Sequence, residues 1–380
     1  MKIAIVKSGM PQGGGERVAA VLINQFIKNG HEVFLIITGD SSECAYQLSS
    51  ELKIVYLKDW LEKNPIGLSL SQRIKRKINK AFTKQGEYEK MYRDYKIGGR
   101  RLLCYLKANS FDYAISLLVH DNMSLALCAK KQKAQIIIRE STYPDRPEYS
   151  DIFKKVRNKC YESADYHVFQ TKEQELLFPP KSRKNGVVIG NPIKESLPLR
   201  SDGYHDKTIV NFCRLDKPKN LFLLLDSFSR IAVEYPEYQL KIYGDGPLYD
   251  YVNGYIDKLG LRNKVFLYPF DENIHEHIKD SAMFVTSSDY EGLSNSLMEA
   301  MAIGMPVVAT DCLGGGAKSL IDDGENGLLV SRGNKEQLYL AMKKFIDYPD
   351  FAEKCGKNAS KVREDYSVET ITKKWLNIMK

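Results

Sequence analysis

Apolar residues run without a break through the centre of Lys2–Lys7, three glycines follow, and apolar positions then recur at helical spacing from Arg17 to Lys28. A short continuous apolar run reads as a strand buried on both faces, and a spacing of three and four as an amphipathic helix. Further strands are expected at His31–Thr38, Tyr113–Val119, Gln135–Ile138 and Tyr166–Gln170, with helical segments between them. Around Val188-Ile189-Gly190-Asn191-Pro192-Ile193 the pattern is broken by Gly, Asn and Pro. It then restarts. Strands are expected at Thr208–Cys213, Gln239–Tyr243, Lys264–Leu267, Met283–Thr286 and Pro306–Ala309, and helices at Leu221–Tyr235 and Ser294–Ile303. Strands separated by helices imply α/β layers on parallel sheets. Two facing Rossmann-like domains are expected, residues 1–192 and 193–365, with a C-terminal helix over 366–380 returning to the first. Such sheets bind ligands at the carboxyl ends of their strands, so an inter-domain cleft is the expected site.

Composition narrows the class. At 380 residues, 43% of them apolar, the chain suits two globular domains, and no low-complexity tract argues for disorder. The N-terminal apolar run is too short for a signal peptide, and no 18-residue apolar stretch occurs. Seven cysteines lie scattered without a Cys-x-x-Cys pair, the pattern of a reduced, cytoplasmic protein. Charge is divided unequally: residues 1–190 carry +12 and residues 191–380 carry −4 of the overall +8. The excess peaks in Ser71–Arg101, where eleven Lys/Arg face three acids. Ile74, Ile78, Ala81 and Phe82 lie there at helical spacing among lysines. That suits a helix lying on an anionic membrane, or a solvated helix packed on its own domain.

The stretch DYEGLSNSLMEAMAIGMPVVATD, Asp289–Asp311, concentrates candidate chemistry. A strand ends before it, Ser294 is placed to cap a helix, and Gly304 and Pro306 end that helix. Glu291 then sits in the loop and Glu299 in the second helical turn. Gly292 allows close backbone approach, and the amides of Leu293, Ser294 and Asn295 face outward at a helix N-terminus, which suits a phosphate. Carboxylates beside such amides suit sugar hydroxyls. The alternative is a capped surface helix with two solvated acids.

Arg214 follows a strand directly and Lys219 precedes the next helix, so the pair can neutralise a diphosphate. Gly14 and Gly15 permit a tight turn and close ligand approach after the first strand, although neither a dinucleotide fingerprint nor a Walker loop is present. His120, at a strand end, either orients an acceptor hydroxyl or is simply packed. No Asp-x-Asp occurs, and His275-x-His277 is read as a surface pair, so no metal site is expected.

In chain order these pieces resemble the GT-B-fold glycosyltransferases of glycosyltransferase family 4, of the bacterial capsule and exopolysaccharide type. The family's two glutamates, separated by seven residues, match Glu291 and Glu299. Its arginine–lysine pair falls on Arg214-Leu215 and Lys219-Asn220, with Cys213 where a glycine is usual, and its GDGP and NPI motifs stand at Gly244–Pro247 and Asn191–Ile193. The resemblance implies a retaining, metal-independent hexosyltransferase that needs no cofactor and takes a nucleotide-sugar, expected to be a UDP-sugar, on its second domain. Arg214 and Lys219 would hold the diphosphate and stabilise its departure, Glu299 the ribose and Glu291 the transferred sugar. The implied acceptor is a glycan or lipid-linked glycan met at the inner face of the plasma membrane, with peripheral contact to anionic lipid. Ser319 and Pro269 depart from residues common in the family, and His120 does not align securely with the histidine some relatives use. The rival readings are a GT-B-fold sugar-nucleotide epimerase and a basic nucleic-acid-binding protein. The second lacks a recognisable reading module, so no nucleic-acid partner is expected.

Overall fold

The computed structural model describes residues 1–40, 43–65, 86–201, 203 and 205–380. These form two compact units: Met1–Ile189 with Lys374–Lys380, and Gly190–Lys373.

The first unit is built on seven parallel strands: β1 (Lys2–Lys7), β2 (Glu32–Ile37), β3 (Lys53–Tyr56), β4 (Tyr113–Ser116), β5 (Gln135–Arg139), β6 (Tyr166–Phe169) and β7 (Gly186–Val188). Their order in the sheet is β3-β2-β1-β4-β5-β6-β7. The second unit has six: β8 (Asp206–Phe212), β9 (Gln239–Tyr243), β10 (Val265–Tyr268), β11 (Ser281–Thr286), β12 (Val307–Asp311) and β13 (Leu328–Ser331). Their order, β10-β9-β8-β11-β12-β13, repeats the first, and every pairing is again parallel. Both are therefore α/β, Rossmann-like sheets. In each, the chain reverses its direction of winding beside the first strand, at β1/β4 and at β8/β11. In sheets of this kind such a reversal point is where ligands bind, beyond the carboxyl ends of the strands.

Alternation along the strands of the second unit explains why its sheet is buried on both faces. Ile209, Met283 and Val308 point into one apolar cluster, while Val210, Phe284 and Val307 point into the opposite one. Each such side chain, fully removed from water, contributes about 1.5–3 kcal/mol. Helices cover both faces because their apolar residues recur with the helical period. In Gly14–Lys28 the buried positions are Val18, Ala19, Ala20, Leu22, Ile23 and Phe26.

Several expectations need revision. The apolar run Tyr113–Val119 is not one strand: β4 stops at Ser116, and a helix, Val119–Ala126, begins three residues later. His120 is thus in the first turn of a helix rather than at a strand end. Strands β3, β7 and β13 were not apparent in the apolar pattern, and all three are sheet edges. In the basic stretch Ser71–Arg101, Ile74, Ile78, Ala81 and Phe82 lie outside the described residues. Its end belongs to the helix Glu87–Asn109. Among the described residues no helix is long and apolar enough to cross a membrane.

Candidate functional site

The second sheet's reversal point collects most of the residues singled out above. Beyond β8 the chain passes Arg214, makes a single tight turn at Lys217–Lys219, and enters the helix Leu221–Glu234 at Asn220. Asn220 adopts the left-handed region, φ 43°, which Asn tolerates better than most residues. Its Oδ1 accepts from the Leu223 amide to cap the helix, and its Nδ2 donates to Asp289 Oδ1 at 3.1 Å. Beyond β11, Ser287 Oγ donates to the carbonyls of Lys219 (3.0 Å) and Asn220 (2.9 Å), and the Asp289 amide donates to Pro218 O at 2.7 Å. The two loops are therefore laced together by their backbones. Lys219 is brought to Glu291 by that lacing.

Lys219 Nζ donates to Glu291 Oε1, and Ser288 Oγ donates to the same oxygen at 3.1 Å. The lysine and glutamate side chains are 18% and 17% exposed. Burial disfavours the Lys219 charge, but the Glu291 carboxylate outweighs it, with help from Cys213, and the pKa is held above its ordinary value. The ammonium is consequently a fixed cation at neutral pH. Burial pushes the neighbouring Cys213 thiol up to about 12, which leaves it protonated and a poor nucleophile.

Glycine is required around these loops where backbones touch. Gly244 has φ +142°, and a Cβ there would stand 1.9 Å from the Cys213 carbonyl oxygen. A Cβ on Gly316, in the loop after β12, would lie 1.8 Å from the Gly292 carbonyl oxygen. The Gly292–Leu293 backbone is thereby pressed between β11 and the glycine loop, and Glu291 N donates to Leu313 O at 2.9 Å.

The helix Asn295–Ile303 starts with Ser294 as its cap, whose side chain accepts from the Leu297 amide. Gly292, Leu293 and Ser294 are buried. Asn191 Nδ2 fixes the entry to this helix by donating to Leu293 O (3.0 Å) and Asn295 Oδ1 (2.8 Å), which gives the NPI motif a structural role. Glu299, 5% exposed, lies one turn further in, and its Oε2 is 2.9 Å from His275 Nε2. His275 is itself only 7% exposed, so the reading of His275 and His277 as a surface pair is wrong for His275. His277 does face solvent, 58% exposed and paired with Asp271 at 2.8 Å. The usable signal was Ile274 and Ile278, four apart, which turn this short helix inward. Both are buried against Leu297, Ala300 and Met301.

Arg214 stands apart from this group. Its side chain is 71% exposed, with Nε 3.7 Å from Asp216 Oδ2. Ser319 Oγ donates to the Gly316 carbonyl at 2.9 Å and so supports the glycine loop. Among the described residues, no three His, Cys, Asp or Glu side chains are grouped to hold a metal ion.

The first sheet's reversal point holds Gly14, Gly15 and His120. Gly14 and Gly15 open the helix Gly14–Lys28, and a Cβ on Gly15 would meet Leu118 Cδ2 at 3.0 Å. The Tyr46 hydroxyl accepts from the Gly13 amide at 2.7 Å and donates to the Gly13 carbonyl at 2.6 Å. His120 Nδ1 is 2.5 Å from the Tyr95 hydroxyl, and its ring meets Phe153 edge-on at 5.6 Å. Burial lowers the His120 pKa, so the ring is neutral at pH 7. Lys7, fully buried, pairs with Glu16 at 2.9 Å, and Asp121 accepts from the Ser8 amide at 3.1 Å.

Residues 202–362 match the family model for Glycosyl transferases group 1. Over 385 residues the chain is 28% identical to the N-acetylgalactosamine-N,N'-diacetylbacillosaminyl-diphospho-undecaprenol 4-alpha-N-acetylgalactosaminyltransferase of Campylobacter jejuni, covering 95% of this chain and 94% of that one. It is 27% identical over 218 residues to an uncharacterized glycosyltransferase of Haemophilus influenzae, 57% of this chain but only 62% of that protein's length. The crystal structure of Anabaena HepE in complex with UDP superposes with a TM-score of 0.73 at 18% identity, covering 100% of this chain and 99% of that one. The chain therefore has the GT-B fold of these structures, and residues 202–362 of its second unit match the group 1 glycosyltransferase model.

Proposed function

We propose that this chain is a retaining glycosyltransferase that takes a sugar from a UDP-sugar and passes it to a glycan or lipid-linked glycan in cell-surface polysaccharide synthesis. One observation carries the reading: Lys219 is paired with Glu291 between the loops that leave β8 and β11, and the helix Asn295–Ile303, which carries Glu299, begins four residues beyond Glu291. A diphosphate placed there meets a fixed ammonium and a helix dipole. Both are oriented before reaction, as stabilisation of a departing anion requires. On this reading Lys219 and Arg214 carry the charge compensation that a metal ion supplies in other transferases. Arg214, being exposed, swings inward to do so. Glu291 binds the sugar and Glu299 the ribose.

The donor assignment is supported by the UDP complex of the structurally similar HepE, and the lipid-linked acceptor by the name of the Campylobacter relative. The +12 charge of residues 1–190 fits work beside an anionic membrane. A panel of sugar nucleotides, assayed with and without membrane extract, tests the whole reading. Acceptor-dependent UDP release with retention of anomeric configuration supports it. Conversion of the donor without any acceptor would replace it with epimerisation. Calorimetry of UDP in chelator tests metal independence, and binding that disappears there would overturn it.

A further inference from the structure

His275 has no part in the chemistry described so far, yet it is buried against one of the two carboxylates on which that chemistry depends. Its Nε2 lies 2.9 Å from Glu299 Oε2, with the side chains 9% and 6% exposed. A carboxylate accepts, so Nε2 is the donor in this bond. The imidazole is itself fixed. Its short helix, Ile274–Ile278, is anchored at both ends by Ile274 and Ile278, in the same apolar cluster as Leu297 and Met301 from the helix that carries Glu299. The Phe212 ring meets the imidazole edge-on at 5.7 Å. Donor, acceptor and both supporting helices thus share one rigid core.

We propose that His275 is a positioning residue, whose Nε2–H bond holds the plane and rotamer of the Glu299 carboxylate that receives the ribose hydroxyls of the nucleotide. The proposal rests on the assignment of Glu299 to the ribose made above. A glutamate reaches its ligand through three rotatable bonds, and fixing them before binding removes an entropic cost that the nucleotide would otherwise bear. A neighbouring donor of fixed direction does this, whereas an apolar neighbour would leave the buried carboxylate poorly satisfied. His275 acts through Glu299, so its effect should exist only when the ligand has ribose hydroxyls.

The experiment is calorimetric binding of UDP and of 2′,3′-dideoxyuridine diphosphate to the full chain, its folding checked by circular dichroism. His275→Leu should weaken UDP about tenfold, the scale of one charge-assisted hydrogen bond, and change the dideoxy ligand by less than about twofold. Gln places a nitrogen near the position of Nε2, and Asn near that of Nδ1. His275→Gln should therefore hold UDP within about twofold of the native affinity, while His275→Asn should resemble His275→Leu. That pair reads the same geometry if His275→Leu does not fold. Adding His275→Leu to Glu299→Ala should bring no further loss, because coupled residues do not add. Equal losses on both ligands, or Gln performing no better than Asn, would overturn the positioning role. Glu299→Ala alone, if it leaves UDP affinity unchanged, overturns the ribose assignment and the inference with it. Loss in Glu299→Ala with none in His275→Leu overturns the inference alone.

Discussion

At the end of β1 a lysine is buried to 0% exposure, while in the turn that follows β8 another lysine keeps 18% of its side chain in solvent. Both sheets have the same strand order, both lysines face a glutamate, and both loops lead into a helix. The surroundings differ. Around Lys7 the polar groups answer one another inside the unit: Glu16 holds the ammonium, Asp121 takes the Ser8 amide, and the Tyr46 hydroxyl holds both backbone groups of Gly13. Around Lys219 the loops are laced by the Ser287 hydroxyl and the Asp289 amide, both donating to backbone carbonyls, and Arg214 in the same loop is exposed. One topology thus supports two uses. In the first unit the charges are paired within the fold, and on the proposed function those of the second would meet an anion.

The sharpest way to break this contrast is to remove Glu16. Glu16→Ala removes the carboxylate paired with a fully buried ammonium, and breaking a buried pair costs about 3 kcal/mol or more. Urea unfolding should show that loss while UDP affinity stays unchanged. A parallel fall in UDP affinity would mean that the two lysines are not functionally distinct.

Glu291→Ala comes next and sharpens the other side. Losing a group aimed at the reacting sugar should lower kcat/KM by about a hundredfold or more. Free UDP should bind as well as before or better, because Glu291 no longer competes with the diphosphate for Lys219. Weaker UDP binding in this variant would show that the glutamate holds the nucleotide rather than the sugar.

Asp121 should leave a pH signature confined to the first unit. Burial raises its pKa from 3.8 to about 6 despite the opposing Lys7 charge. The folded chain then holds this proton more tightly than the unfolded chain. Its contribution is therefore fully present below about pH 3.8 and is lost as pH rises through about 6. The shift corresponds to roughly 3 kcal/mol, and Asp121→Asn should remove that part of the slope in unfolding titrations. An unchanged slope would show that Asp121 is not the group responsible.

The smallest of these effects is expected for Glu299→Ala. It should weaken UDP by about tenfold, or roughly 1.4 kcal/mol, alongside a stability loss of about 1–3 kcal/mol from the buried His275 donor it leaves unpaired. A large stability loss without change in binding would make Glu299 a structural group like Glu16.

Much of this architecture is legible in one dimension. Strands buried on both faces need continuous apolar runs, so β1, β2 and β11 announce themselves wherever they lie in the chain. Three of the four edge strands do not: β3, for example, has two exposed and two half-buried residues, and a strand with so little to bury carries little pattern. The glutamate pair and the Ser294 cap are local in sequence and legible for that reason. The partner of each glutamate is not. Lys219 lies 72 residues from Glu291, and His275 lies 24 from Glu299. Residue types and spacings carried the α/β class, the repeat of two sheets and the candidate carboxylates. Which charges are consumed within the fold and which stand ready for a ligand depended on contacts between distant loops, because burial and pairing are properties of three-dimensional neighbours. Lys7 closes an apolar strand and Lys219 stands in a polar turn, yet each faces a glutamate, and only the packing around them makes one structural and the other a candidate for chemistry.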